Sequence, residues 1–231
     1  MSTPAVSLVL ETFVCPPFAE NTYLVADPAS GDAVVIDPGG RVDDILRTAA
    51  LRGVRIGQIW GTHSHIDHVA GVAELRARTG ARYLLHAAAA PMLAGLPMQA
   101  GMFGLPPVEV PVVDGWIGAG DALTVGGAAF TVRDTPGHAP GHVTFVGPTV
   151  VYEDRTAPIA FSGDVIFHGS IGRTDLPGGD YALLMRSIED EILTLDDATI
   201  LFSGHGPATT VGRERRANPF VLDWMATHAA R

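Results

Sequence analysis

Apolar runs bounded by turn residues open the chain. Ser7–Val14, Asn21–Ala26 and Ala33–Ile36 have strand character, with Phe18-Ala19-Glu20-Asn21 and Asp37-Pro38-Gly39-Gly40 as turns. Three strands with short connections predict an antiparallel sheet. The pattern turns helical over Val42–Leu51, with Asp43 and Asp44 where a helix dipole favours acids and Gly53 past the end. A strand at Ile56–Trp60, a helix carrying Val69, Val72 and Leu75 as far as Thr79, and a strand at Arg82–Leu85 give a βαβ rhythm. Ala87–Leu93 has the character of a short helix.

Gly95–Gly120 is rich in Gly and Pro yet carries Met98, Met102, Phe103 and Leu105. A segment of this kind is expected to wall a pocket, form a lid or mediate self-association into a homodimer, the alternative being ordinary packing against the core. A second run of strands follows at Asp121–Val125, Ala128–Asp134, Val143–Val146, Thr149–Tyr152 and Pro158–Phe161. Then come a helix at Tyr181–Leu193, a last strand at Ala198–Phe202, and helix from Arg213 onward, broken near Pro219. No Pro/Gly/Ser linker divides the halves. The pattern predicts one α+β domain over residues 1–231, two sheets with outer helices.

Composition narrows the classes. With 47% hydrophobic and 17% charged residues the chain is globular, and its formal charge of -10 leaves no electrostatic basis for nucleic-acid binding. No apolar run has membrane-spanning length, and no signal-peptide pattern is seen, so a cytoplasmic enzyme without membrane contact is expected. The single cysteine, Cys15, excludes an intramolecular disulfide and a cysteine-rich zinc site. All 15 basic residues are arginine, so a catalytic lysine is excluded and an anionic substrate must meet Arg or backbone N–H.

The chemistry concentrates in Thr62-His63-Ser64-His65-Ile66-Asp67-His68, on a strand-to-helix turn. In extended chain, residues i and i+2 point the same way, so His63 and His65 reach one metal. Asp67 and His68 then point to a second position a few ångströms away. Imidazole and carboxylate suit zinc, iron or manganese. His138, Asp164 and His205 each follow an apolar run with Gly beside them, and each can stand at a strand end.

The pattern H-x-H-x-D-H followed by a distant His, Asp and His resembles the metallo-β-lactamase-fold hydrolases. That resemblance implies a four-layer αβ/βα sandwich of two facing mixed sheets with outer helices. It also implies two divalent ions, zinc foremost, with His63, His65 and His138 on the first, Asp67, His68 and His205 on the second, and Asp164 bridging. Asp37 occupies the position where the superfamily keeps an Asp beside the ligands, which implies a role in orienting their loop; an Asp-Pro-Gly turn predicts the same residue there.

The runs Gly163-Asp164-Val165-Ile166-Phe167-His168-Gly169-Ser170-Ile171-Gly172-Arg173-Thr174-Asp175 and Gly204-His205-Gly206-Pro207-Ala208-Thr209-Thr210 are similar to the short bacterial glyoxalase II type, the hydroxyacylglutathione hydrolases. This implies hydrolysis of a thioester, S-D-lactoylglutathione, to D-lactate and glutathione by a hydroxide held between the ions, with Asp67 and Asp164 as the catalytic carboxylates. The sequence ends at Arg231, so the helical extension that holds glutathione in longer members is not expected, and Asp175 stands where those members have an aromatic residue. Arg173 is the candidate substrate anchor, its alternative being a structural pair with Asp175 or Asp180. His86 is expected to cap or pack, and His142 and His168 to support the ligand loops. Two other activities fit the fold: a mononuclear iron persulfide dioxygenase using His63, His138 and Asp164, and a lactonase.

Overall fold

A computed structural model describes residues 6–228. The first sheet holds β1 (Val9–Cys15), β2 (Glu20–Asp27), β3 (Asp32–Ile36), β4 (Arg55–Trp60), β5 (Arg82–His86) and β6 (Gly115–Ile117), side by side in chain order. Its first three strands pair antiparallel and the later ones parallel. The parallel crossovers carry α1 (Val42–Arg52), α2 (Ile66–Val69) and α3 (Val72–Thr79). Beyond β5 lie α4 (Ala90–Ala94) and α5 (Leu96–Met102).

The second sheet is built from β7 (Ala122–Val125), β8 (Ala128–Asp134), β9 (Val143–Tyr152), β10 (Arg155–Gly163), a strand at Ile200–Ser203 and a short one at Thr209–Thr210. Between them in sequence, β11 (Ile166–Phe167) and β12 (Ser170–Ile171) form a small hairpin, so the last two are β13 and β14. The outer helices here are α6 (Tyr181–Ser187), α7 (Val211–Ala217) and α8 (Pro219–His228). The final three residues of the expected C-terminal helix lie outside the described residues.

The near-continuous apolar character of the central strands has a direct cause: both of their faces are covered. Along β2 and β3, Leu24 and Val35 face the helices while Val25, Val34 and Ile36 face the other sheet. In β10 and β13, Ala160 and Leu201 meet the α6–α8 layer while Phe161 and Phe202 point between the sheets. The result is helix, sheet, sheet, helix, the four-layer α+β sandwich. Trp60 sits fully buried between the sheets, its ring 5.3 Å from those of Phe130 and Phe145.

Several boundaries differ from the pattern-based expectation. Val143–Val146 and Thr149–Tyr152 are one strand, because β8 pairs with β9 only as far as Val146. Beyond that point the β9–β10 register shifts between Val146 and Thr149, so Pro148 falls at an irregularity of the ladder and its missing donor leaves no bond broken. Gly95–Gly120 is not all loop: it contains α5, with Pro97 in the first turn where proline is tolerated, and β6, which completes the sheet edge. The Tyr181–Leu193 helix runs from α6 into a π turn at Ile188–Ile192. The helix expected from Val69 starts at Ile66 and is interrupted at Ala70-Gly71, which places Asp67 and His68 in its first turn. No helix among the described residues is long and apolar enough to cross a membrane.

Candidate metal centre

The strand ends of both sheets converge at one edge of the sandwich. The β4–α2 turn delivers His63, His65, Asp67 and His68; the β8–β9 loop delivers His138; the end of β10 delivers Asp164; and the loop after β13 delivers His205. His63 Nε2 lies 3.1 Å from His65 Nδ1, which lies 2.8 Å from His138 Nε2. Beside this trio, His205 Nε2 lies 3.2 Å from Asp67 Oδ2, and His68 Nε2 is 3.7 Å from the same oxygen. Within each of these two trios the ligand atoms lie within 4.8 Å of one another. Asp164 stands between them. Its Oδ2 is 3.5 Å from both His138 Nε2 and His205 Nε2, and its Oδ1 is 3.4 Å from His68 Nε2. All seven residues picked from the sequence meet at this place.

Partners behind the rings assign the tautomers. His138 Nδ1 faces the Arg173 carbonyl oxygen at 2.8 Å, and a carbonyl only accepts, so that nitrogen carries the proton. His68 Nδ1 donates to Asp37 Oδ2 at 3.0 Å. Thr62 Oγ1 gives its one proton to Asp37 Oδ2 and therefore accepts from His63 Nδ1 at 3.0 Å. Each of these rings consequently turns its Nε2 toward the cluster, the orientation metal-binding imidazoles need.

Asp37 thus engages both oxygens, Oδ1 receiving the Thr62 N–H at 2.7 Å. Although it lies within ligand distance of His63 and His68, those bonds occupy it as an orienting group. It holds a left-handed backbone, φ 48°, uncommon outside glycine and concentrated at functional sites. Burial holds His63 and His142 well below the usual imidazole pKa and brings His65 down to about 4, so all three present neutral rings. Burial opposes the charged forms of His68 and His205 too, but Asp164 and Asp67 outweigh it, holding His68 well above its ordinary value and His205 at about 10.

The donor set fits divalent cations. Five imidazoles and two carboxylates converge, and the buried His68 Nε2 and Asp164 Oδ1 have no hydrogen-bond partner in the protein. The cluster's shape also needs glycine. A Cβ at Gly204 would lie 2.1 Å from Asp164 Oδ1, and one at Gly172 would lie 1.9 Å from the Asp164 carbonyl oxygen.

The site opens into a cavity of about 690 Å³ lined by His65, Asp67, His138, Asp164 and His205 at one end. Met98, Met102 and Phe103 line another part of it, so the Gly95–Gly120 segment does wall the pocket. Arg173 stands on the rim, its Nε and Nη2 each donating to Asp175 at 2.7 Å; Asp180 instead caps α6 through the Leu183 N–H. His142 lies behind the donors: its Nε2 accepts the Asp164 N–H at 3.0 Å.

Some supporting residues went unread in the sequence. Asn21 Nδ2 donates to Ser203 O at 3.0 Å and Gly206 O at 2.8 Å, clamping the His205 loop. Glu20 is fully buried, 4.0 Å from His68 Nδ1, and burial pushes its carboxyl well above the usual range. Gln99 ties α5 to the ligand turn, accepting the Ile66 N–H at 2.9 Å and donating to Ser64 O at 3.3 Å. In the sequence Glu20 and Asn21 have the character of turn residues; the signal available is their place at the head of the apolar run that becomes β2, all eight of whose positions are buried.

Residues 15–205 match the metallo-beta-lactamase superfamily profile. The chain belongs to the metallo-beta-lactamase superfamily. It is 35% identical to hydroxyacylglutathione hydrolase GloC of Haemophilus influenzae over 88% of this chain and 93% of that protein. Among solved structures, the B3 metallo-beta-lactamase BLEG-1 superposes with a TM-score of 0.81 at 35% identity, covering 92% of this chain and 99% of that one. TTHA1623, solved in a di-iron-bound form, gives 0.76 at 34% identity, covering 91% and 99%. With the converging side chains, these findings make the chain a metal-dependent hydrolase.

Proposed function

We propose that the chain hydrolyses thioesters, S-D-lactoylglutathione among them, with His63, His65 and His138 holding one divalent ion, Asp67, His68 and His205 a second, and Asp164 touching both. The observation that carries this reading is the position of Asp164 between the two trios, within 3.5 Å of nitrogens from each. A mononuclear site of His63, His138 and Asp164 would give no work to Asp67, His68 and His205. The hydroxyacylglutathione hydrolase relative supports the thioester class.

Divalent ions bound there supply Lewis acidity, polarising a carbonyl and lowering the pKa of bound water from about 15.7 to about 7. The chain does the rest. Asp67, partly open to the cavity, is placed to accept a hydrogen bond from the attacking water and orient it. The water gives one proton to solvent as its oxygen bonds to the acyl carbon; the C–S bond breaks with its electron pair on sulfur, and the thiolate takes up the remaining proton, leaving carboxylate and thiol. Thiols have a pKa of about 8.5, so departure requires no strong general acid, in keeping with a chain that has no lysine. Asp37 and the Arg173 carbonyl hold His68 and His138 in register throughout.

The test is hydrolysis of S-D-lactoylglutathione by metal-loaded protein, beside elemental analysis and oxygen uptake. Thioester loss with two metals per chain is expected. One iron per chain with persulfide-dependent oxygen consumption would replace this reading with the dioxygenase.

A further inference from the structure

Part of the cavity's lining has a chemistry the donor cluster does not explain. Phe18, Met92, Met98, Met102, Phe103 and Leu176 line it. Met98 and Met102 are four apart on α5 and share a face. They are 69% and 64% exposed, and Phe103 is 44% exposed. The Phe18 and Phe103 rings meet edge-on at 5.1 Å, closing the wall across two segments. Large apolar side chains left in solvent at the mouth of a pocket mark a surface that binding covers. Methionine suits such a surface because it is flexible and polarisable and accommodates chains of differing shape.

Charge points the same way. Among the described residues lining the cavity, Arg173 is the one arginine, and both ends of its guanidinium fork are held by Asp175. The two acids there, Asp67 and Asp164, belong to the donor cluster. Glutathione carries a carboxylate at each end and one ammonium. Nothing on this wall complements those groups.

Resting on the thioester-hydrolase reading above, we propose that the preferred substrates are thioesters with an uncharged, apolar arm, which lies against the Phe18, Met98, Met102 and Phe103 wall while the carbonyl faces the donors. Lactoylglutathione is then a poorer substrate of the same site. Gln99 couples the two regions, since the side chain that anchors α5 also bonds the ligand turn at Ile66 and Ser64.

Two series on the zinc-loaded full chain test this. One varies the acyl arm, as acetyl, butanoyl and hexanoyl thioesters of N-acetylcysteamine. The other varies the thiol arm, as acetyl thioesters of ethane-, butane- and hexanethiol. In at least one series kcat/KM should rise roughly fourfold per added methylene, and the series that rises names the arm. Its longest member should exceed lactoylglutathione by roughly tenfold or more on the same scale. The exposed double variant Met98→Ser/Met102→Ser should flatten the slope through KM with its circular dichroism unchanged. Leu51→Ser, on α1 and outside the cavity, should keep the slope. Flat responses in both series, a slope untouched by the double variant, or lactoylglutathione outrunning every neutral thioester, would overturn the proposal while leaving thioester hydrolysis in place. Hydrolysis of no thioester at all would overturn the reading beneath it.

Discussion

Asp37 Oδ2 accepts the Nδ1 proton of His68 at 3.0 Å, and both residues are buried although 31 positions separate them in the chain. The bond aims His68 Nε2 at Asp67 and Asp164. Asp37→Ala should therefore lower metal affinity by about 10- to 100-fold, the usual cost of losing a partner behind a ligand. Titrating the metal-stripped protein against a competing chelator measures this; unchanged affinity would reduce Asp37 to a turn residue.

Metal removal should cost stability as well as activity. A ligand that binds the folded chain alone adds about 2.7 kcal/mol at a hundred times its Kd, and 1 kcal/mol moves Tm by about 2–4 °C for a chain of this size. Chelation should lower Tm by roughly 5–10 °C on that basis, with full recovery on adding zinc back. Asp67→Ala should retain one equivalent of metal by elemental analysis. Two retained equivalents would show that Asp67 is not a ligand.

Asn21 joins the first sheet to the last ligand loop through Ser203 O and Gly206 O. Asn21→Ala removes both bonds, but Ser203 O keeps the Tyr23 hydroxyl at 2.6 Å and Gly206 is exposed, so the cost should be about 1 kcal/mol, the net worth of ordinary hydrogen bonds. Because the loop carries His205, the occupancy of the second metal should fall further than that of the first. Urea denaturation and metal content, measured together, check both parts. Equal loss of both metals would make Asn21 a stabiliser without a bias toward His205.

Arg173 and Asp175 form a bidentate pair, with side chains 58% and 67% exposed. Asp175→Asn should free the guanidinium and lower KM for lactoylglutathione by roughly three- to tenfold, a charge-assisted hydrogen bond discounted for exposure. Adding Arg173→Ala should abolish the gain. A gain that survives the double substitution would rule Arg173 out as the anion anchor.

A pH effect separate from the metal centre comes from Asp114. Arg76 donates to both its oxygens, at 2.7 and 2.6 Å, and the Tyr83 N–H to one at 2.9 Å, tying α3 to β5. The Arg76 hydrogen bonds, foremost, bring its carboxyl down to about 2. A carboxyl depressed in the folded state contributes stability above its ordinary pKa near 3.8 and loses it as pH falls toward 2. Asp114→Asn should cost about 1–2 kcal/mol at neutral pH after screening and show a smaller decline across that window. Parallel pH curves for the two proteins would refute it.

The ligand turn was legible because it is local. His63, His65, Asp67 and His68 fall within six residues on a strand-to-helix junction, where backbone periodicity alone aims the side chains. The two sheets and most of the helices were legible for the same reason, since burial on one or both faces imposes a period on the residues that must be apolar. His138, Asp164 and His205 could be chosen from composition around them, but their meeting depends on both sheets ending at one edge of the sandwich, which no local pattern carries. Pairing partners decided the rest. Gly147-Pro148 has the chemistry of a turn and lies inside β9, at the shift of register in its pairing with β10 and past the end of its pairing with β8. Glu20, Asn21 and Gln99 looked like ordinary polar positions; their roles come from carbonyls, amides and rings that lie far along the chain. Whether Arg173 meets a substrate or Asp175 was likewise left open by the sequence, because a guanidinium bonds the nearest carboxylate in space, and only the folded loop sets which one that is.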